Sequence, residues 1–169
     1  MPIPKRLIKF IDSAKIRYEI IQHRTVYTAF DKAKTLKVPE KIIGKTLVVK
    51  MDRMFAIVLI PANKNLDKEK LKKVVNAKLK KEGKKLIKKI GLATENWMKK
   101  NLKGIKIGAV PPFGPLWKLP TFVDKNLMKN PKIIVSAGDY NYSFRISPAG
   151  LKKSVPDIIM GTFSRARKK

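Results

Sequence analysis

The chain has 169 residues, 40 of them Lys or Arg and 12 Asp or Glu, for a formal charge of +28, yet 44 % are hydrophobic, which excludes a disordered basic tail. This length suits one domain, residues 1–169, able to bury ~70 % of its unfolded surface. The absence of cysteine and the single histidine exclude disulfides, a thiol nucleophile and a Cys/His zinc centre, and the longest apolar run, Met54 to Ile60, is too short for a membrane span of ~20 residues. Leu7, Ile8 and Ile11 keep helical spacing after Pro4, so a helix is predicted to about Ala14. Ile16, Tyr18 and Ile20 alternate with charged residues as in a half-buried strand. Thr28, with Asp31 three positions later, predicts a capped helix from Ala29 to about Lys37, and Pro39 opens a short turn before Gly44. Lys45–Met51 and Met54–Ile60 form a predicted hairpin around Asp52-Arg53. A loop over 61–65 follows, and Asp67 then caps a helix whose Leu71, Val74, Val75 and Leu79 form one stripe, ended by Gly83.

A short strand is predicted from Leu86 to Ala93 and a helix from Thr94 through Leu102. Gly104 to Gly114 reads as a Pro- and Gly-punctuated loop, and Asp124 as the cap of a brief helix to about Lys129. Ile133–Ser136 and Tyr142–Ile146 are strands around the turn Gly138-Asp139-Tyr140-Asn141, and Ser147-Pro148 begins a last helix. Residues from about 153 to 169 read as a basic C-terminal tail, the final dozen loosely ordered. Because hairpins join too many strands for a doubly wound sheet, the fold class is α/β, with a mixed, curved, partly barrel-like β-sheet surrounded by helices.

A charge of this size repels itself, and a polyanion is its natural counterpart, since each Lys or Arg on a phosphate releases counterions. A thermophile's lysine-rich surface is the plainer source, but such surfaces balance Lys with Glu, and only five Glu are present. The sequence offers no membrane anchor, and Lys5, Arg6, Lys9 and Asp12 interrupt any signal-peptide core, so a cytoplasmic protein is expected.

Among candidate chemical groups, Asp31, Asp67 and Asp124 have caps or turns as sufficient explanations, whereas Asp139 sits beside Gly138 in a loop between strands. His23, at a strand exit, is either a base or a satisfied polar residue. Lys45 opens the first core strand directly after Gly44, where it either snorkels to water or presents an ammonium to a cleft. Gly44-Lys45-Thr46 lacks the leading glycine of a P-loop, so nucleotide hydrolysis loses its support. Gly108-Ala109-Val110-Pro111-Pro112-Phe113-Gly114 packs two glycines and two prolines into seven residues. It is either a rigid structural turn or a loop aiming backbone N–H groups into a pocket.

Taken in order, several segments resemble the YbaK / prolyl-tRNA-synthetase-associated domain family of aminoacyl-tRNA deacylases over about residues 15–152. They are His23 with Thr28 and the helix after it, Gly44 to Val49, Ile57 to Ala62, Gly108 to Gly114, Leu119 to Asp124, Val135 to Asp139, and Ile146-Ser147-Pro148. The resemblance implies a single deacylase domain that hydrolyses, in trans, amino acids wrongly attached to tRNA, with no cofactor and no metal. Its partners would be a mischarged aminoacyl-tRNA and an aminoacyl-tRNA synthetase. It implies that Lys45 contacts the aminoacyl-tRNA end, that Gly108 to Gly114 forms a pocket loop and that Gly138 lies near the substrate. With Asp139 added from its place in the turn, Lys45, Gly108, Gly138 and Asp139 are the expected catalytic residues, and His23, Thr28, Thr46, Pro111, Pro112, Phe113, Gly114 and Ser136 the expected substrate contacts. Asp139 departs from some members acting on alanyl-tRNA, which carry a histidine near Gly138. An aminoacyl ester is activated, so a positioned water and amide donors would suffice without a protein nucleophile. A non-catalytic nucleic-acid-binding protein on the same fold is the alternative, and a small-molecule hydrolase is disfavoured by the charge.

Overall fold

The computed structural model describes residues 2–167. In the N-terminal part, α1 (Lys5–Ser13) buries Leu7 and Ile11, one turn apart, and β1 (Tyr18–Gln22) follows it. The α2 helix (Ala29–Leu36) starts where the Thr28 hydroxyl accepts the Asp31 amide at 3.1 Å and ends on Lys37, which has left-handed φ. β2 (Gly44–Met51) and β3 (Met54–Pro61) form the expected hairpin. Its tight connection is held by Asp52, whose carboxylate accepts the Lys88 and Lys89 amides at 3.0 and 2.8 Å. Those two bonds hold residues 88 and 89 outside the sheet, so the strand expected from Leu86 shrinks to β5 (Ile90–Leu92). Between them lie β4 (Lys64–Leu66), in what the sequence presented as a loop, and α3 (Lys68–Lys81), capped by Asp67. The chain then runs through α4 (Glu95–Asn101), β6 (Thr121–Asp124), β7 (Ile133–Asp139), β8 (Tyr142–Ile146), α5 (Pro148–Ser154), β9 (Ile159–Gly161) and β10 (Ser164–Ala166).

The class is mixed α/β, but the expected single curved sheet is divided into three. A five-stranded mixed sheet runs β5-β2-β3-β6-β9, an antiparallel sheet runs β1-β8-β7, and β10 pairs with β4. The first two touch through one parallel bridge, Ile43 to Ile134. β3 explains the arrangement, because its whole run from Ala56 to Ile60 is buried and a strand covered on both faces needs no polar alternation. Val58 and Ile60 pack towards Leu71, Val75 and Leu79 of α3. The alternate residue Leu59 packs with Leu7 and Ile11 of α1, Phe144 of β8 and Leu151 of α5.

Two sequence expectations are corrected. Asp124 is no helix cap; it is fully buried at the end of β6, where its carboxylate accepts the Asn126 amide at 2.8 Å and the Phe163 amide at 2.9 Å. That second bond helps explain the other correction. The C-terminal segment is not a loose tail: Phe163 is completely buried, Asp67 N–H donates to its carbonyl at 2.8 Å, and β9 and β10 each join a sheet. A lysine- and arginine-rich composition concealed this anchor, since one buried aromatic outweighs several solvated cations in placing a strand. Lys168 and Lys169, the end of the expected tail, lie outside the described residues.

Candidate functional site

The site forms where β2 leaves the hairpin beside β7. Ala62 N–H donates to Ile43 O, and Ala93 N–H to Val48 O, both at 2.9 Å. Antiparallel alternation therefore turns the odd-numbered residues of β2 towards β3 and the Thr46 amide towards the opposite edge. β5 covers that edge only from Val49 to Met51, so the stretch around Thr46 is left open. Beside it, the β7–β8 register jumps from Ser136–Ser143 to Asp139–Tyr142, a bulge containing Gly138 at φ +84°. The turn expected over 138–141 is consequently tighter, with Tyr140 and Asn141 at its tip. The segment before α2 is tied to this tip, since His23 N–H donates to Asn141 O at 2.9 Å and Val26 N–H to Tyr140 O at 3.0 Å.

These elements enclose a cleft of ≈ 300 Å³. Thr28, Lys45, Thr46, Gly108, Ser136 and Asp139, all anticipated from the sequence, line it together. Thr46 Oγ1 is buried without a hydrogen-bond partner. Gly108, at φ +88°, sits in a turn closed by Ala109 N–H to Lys106 O at 3.0 Å. Among the described residues no acceptor engages the Gly108 amide. Asp139 is 4 % exposed; it accepts Lys106 Nζ at 2.7 Å and the Asn141 amide at 3.0 Å. Burial pushes its carboxyl upward, but the Lys106 ammonium and the Asn141 amide outweigh burial and hold it below the usual carboxylate range.

Six of the expected site residues lie elsewhere. Gly138 is behind the lining, and its N–H is spent on Ala109 O at 2.8 Å, so it shapes the bulge and has no amide left for a substrate. The second half of the Pro/Gly loop is structural: Pro111 and Pro112 are buried away from the cleft, and Phe113 is fully buried against Phe10 and Phe144. Gly114 N–H donates to Thr121 Oγ1 at 3.2 Å, again inside the core. His23 is also outside the lining, with Nε2 3.0 Å from Ser143 Oγ and Nδ1 2.8 Å from Arg24 O. Its burial keeps the imidazole pKa low, which the Lys32 charge reinforces and the Arg24 and Asp139 contacts oppose.

The structure adds residues that sequence reasoning missed. Lys32 is only 6 % exposed, with its Nζ 3.0 Å from Ser136 Oγ at the cleft wall, and burial lowers its pKa to about 8. A signal was present, because Ala29, Lys32, Ala33 and Leu36 keep the i, i+3, i+4, i+7 spacing of an inward stripe. A lysine on that stripe has nowhere to go but the interior. Tyr27 and Phe30 stand at the mouth, 65 % and 43 % exposed. Arg167 reaches the same rim, where its Nη2 contacts Glu40 at 2.9 Å. Among the described residues, no group of three or more His, Cys, Asp or Glu could hold a metal ion, and no helix is long and apolar enough to cross a membrane.

Comparison with known proteins supplies the remaining observations. A family model described as the aminoacyl-tRNA editing domain matches residues 23–154. The fold is similar to that of the hypothetical protein APE2540, with TM-score 0.77 and 22 % identity over 95 % of this chain and 100 % of that one. It is also similar to a protein provisionally described as a trans-editing enzyme for prolyl tRNA synthetase, with TM-score 0.72 and 20 % identity over 98 % and 99 % of the two chains. Likenesses at this level of identity show a shared fold. No curated protein matches the chain in sequence.

Proposed function

Because the chain belongs to the aminoacyl-tRNA editing domain family, we propose that its cleft receives the 3′ end of a mischarged tRNA and hydrolyses the aminoacyl ester in trans. The observation that carries this reading is the convergence of Lys45, the Gly108 turn and the Ser136–Asp139 bulge, from three separate stretches of chain, on one cleft of ≈ 300 Å³. That space has room for an aminoacyl group, and an editing sieve selects by the shape and chemistry of such a wall. Tyr27 and Phe30 at the mouth offer ring faces on which a terminal base can stack. The charge of +28 supplies a salt-dependent attraction for the phosphate backbone.

In the proposed reaction a water oxygen bonds to the ester carbonyl carbon, the carbon–oxygen bond to the ribose breaks, and the ribose oxygen leaves with a proton. The Gly108 amide and the Thr46 edge of β2 are the donors proposed for the developing oxyanion, each worth a factor of ~10²–10³. Lys45, at the start of β2 and partly buried, is proposed to hold the 3′ end by its charge. Asp139, locked by Lys106, sets the shape and field of the wall. The reaction belongs where tRNA is charged, and an aminoacyl-tRNA synthetase is the further partner this implies.

Lys45→Ala is expected to abolish deacylation of a mischarged tRNA while leaving the circular dichroism spectrum unchanged. Full activity in that variant would remove Lys45 from the site. A non-catalytic nucleic-acid-binding protein is the second reading, favoured by the charge alone. It predicts salt-sensitive tRNA binding with no ester hydrolysis across a panel of mischarged tRNAs.

A further inference from the structure

Lys32 has no use in the reaction as proposed, and burying it is costly. The side chain is 6 % exposed, so its ammonium has exchanged most of its water for one hydrogen bond, to Ser136 Oγ at 3.0 Å. An ammonium carries three N–H donors. No carboxylate lies within ion-pair distance of it among the described residues, the nearby Asp139 being engaged by Lys106 at 2.7 Å. On the same cleft, Thr46 Oγ1 is buried without any partner. Lys32 thus keeps N–H donors unused at the cleft wall, and Thr46, a second lining residue, carries an unsatisfied hydroxyl. A cleft meant for an apolar side chain would be lined otherwise, because desolvated donors left unpaired by the ligand weaken its binding.

We propose that Lys32, supported by Ser136 and Thr46, is a specificity-determining residue that selects aminoacyl esters whose side chain carries an oxygen acceptor close to Cβ, a hydroxyl or a carboxylate, over apolar side chains of the same shape. This rests on the editing function proposed above and names the substrate class of that site. The acceptor oxygen takes one of the free N–H groups of Lys32. An isosteric methyl cannot, and leaves the buried ammonium unpaired. Discrimination by a hydrogen bond to a charged donor is therefore expected to be about tenfold or more.

The test compares kcat/KM for one tRNA charged in turn with Val, Thr, Ala, Ser and Asp, using the full chain and its Lys32→Met and Lys32→Gln variants. Thr and Val differ by a hydroxyl for a methyl, so shape cancels in their ratio. The wild-type protein is expected to favour Thr over Val, and Ser or Asp over Ala, by about tenfold or more. Preference for Ser and Thr identifies a hydroxyl, and preference for Asp a carboxylate. Lys32→Met is expected to bring the Thr/Val ratio close to one, whereas Lys32→Gln, which restores a neutral donor, keeps part of it. A wild-type ratio near one, or a ratio unchanged in Lys32→Met, overturns the proposal. Hydrolysis of none of the five esters by the wild-type protein instead overturns the editing reading itself, so the two failures are distinguishable.

Discussion

Replacing Lys32 by Met should make the protein more stable. Burial lowers the Lys32 pKa from 10.5 to about 8, and each unit corresponds to about 1.4 kcal/mol, so holding this group charged at pH 7 costs about 3 kcal/mol. Methionine fills a similar volume without charge, at the loss of the Ser136 hydrogen bond, worth about 1.5 kcal/mol for a charged donor. The net expectation at pH 7 is a gain of about 1.5 kcal/mol, or a rise in Tm of about 3–6 °C for a chain of this size. The sign of the pH dependence follows from the lowered pKa: between pH 8 and 10.5 the unfolded chain binds the proton that the folded chain has released, so wild-type stability rises relative to Lys32→Met. The advantage of the variant is complete below pH 8 and narrows steadily towards pH 10.5. Urea unfolding followed by circular dichroism at several pH values from 6 to 10.5 measures it directly. A variant less stable than wild type at pH 7, or a difference that does not narrow with rising pH, would refute the reasoning that Lys32 is a buried cation kept for function at the expense of stability.

Three further expectations follow from the same geometry. Phe30→Ala, at an exposed position, should leave stability unchanged and lower kcat/KM for a mischarged tRNA by about 5- to 100-fold through lost base stacking, read from initial deacylation rates. Gly108→Ala should destabilise the fold by about 1–2 kcal/mol, because the residue has φ +88° and a methyl there would stand 3.2 Å from Tyr27 O; urea midpoints report it. Asp139 has a pKa held below the ordinary 3.8, so its contribution is present above that value and lost as pH falls through it and below. Asp139→Asn should accordingly be less stable at pH 7, since Lys106 loses its partner, and should show a shallower loss of stability from pH 5 to pH 2 in thermal melts.

The cleft owes its polarity to a division of labour between α2 and β7. Thr28 sets where α2 begins, and the phase of that helix then puts Lys32 inward with Ala29, Ala33 and Leu36. The bulge in β7 places Ser136 to receive the ammonium and Asp139 to face the same space one residue past the normal alternation. Lys106 then screens Asp139 from the solvent side, so the carboxylate shapes the wall without neutralising Lys32.

How much of this was legible in the chain depends on the range of the interaction concerned. Local patterns decided the elements: Thr28, Asp67, Thr94 and Ser147 cap their helices as read, and the β2–β3 hairpin lies where its apolar runs predict. The +28 charge pointed to a polyanion, and the ordered segments from His23 to Pro148 carried the resemblance to the editing family. Only the tertiary structure could separate the two halves of the Pro/Gly loop, because Gly108 and Phe113 are neighbours in sequence yet one faces the cleft and the other the core. It alone showed that the Gly138 amide is already spent and that a buried Phe163 pins a strand in what reads as a basic tail. The physical reason is the same throughout. Capping and periodicity are set within a few residues, whereas burial, and hence which donor is free and which lysine is dehydrated, depends on partners some hundred positions away.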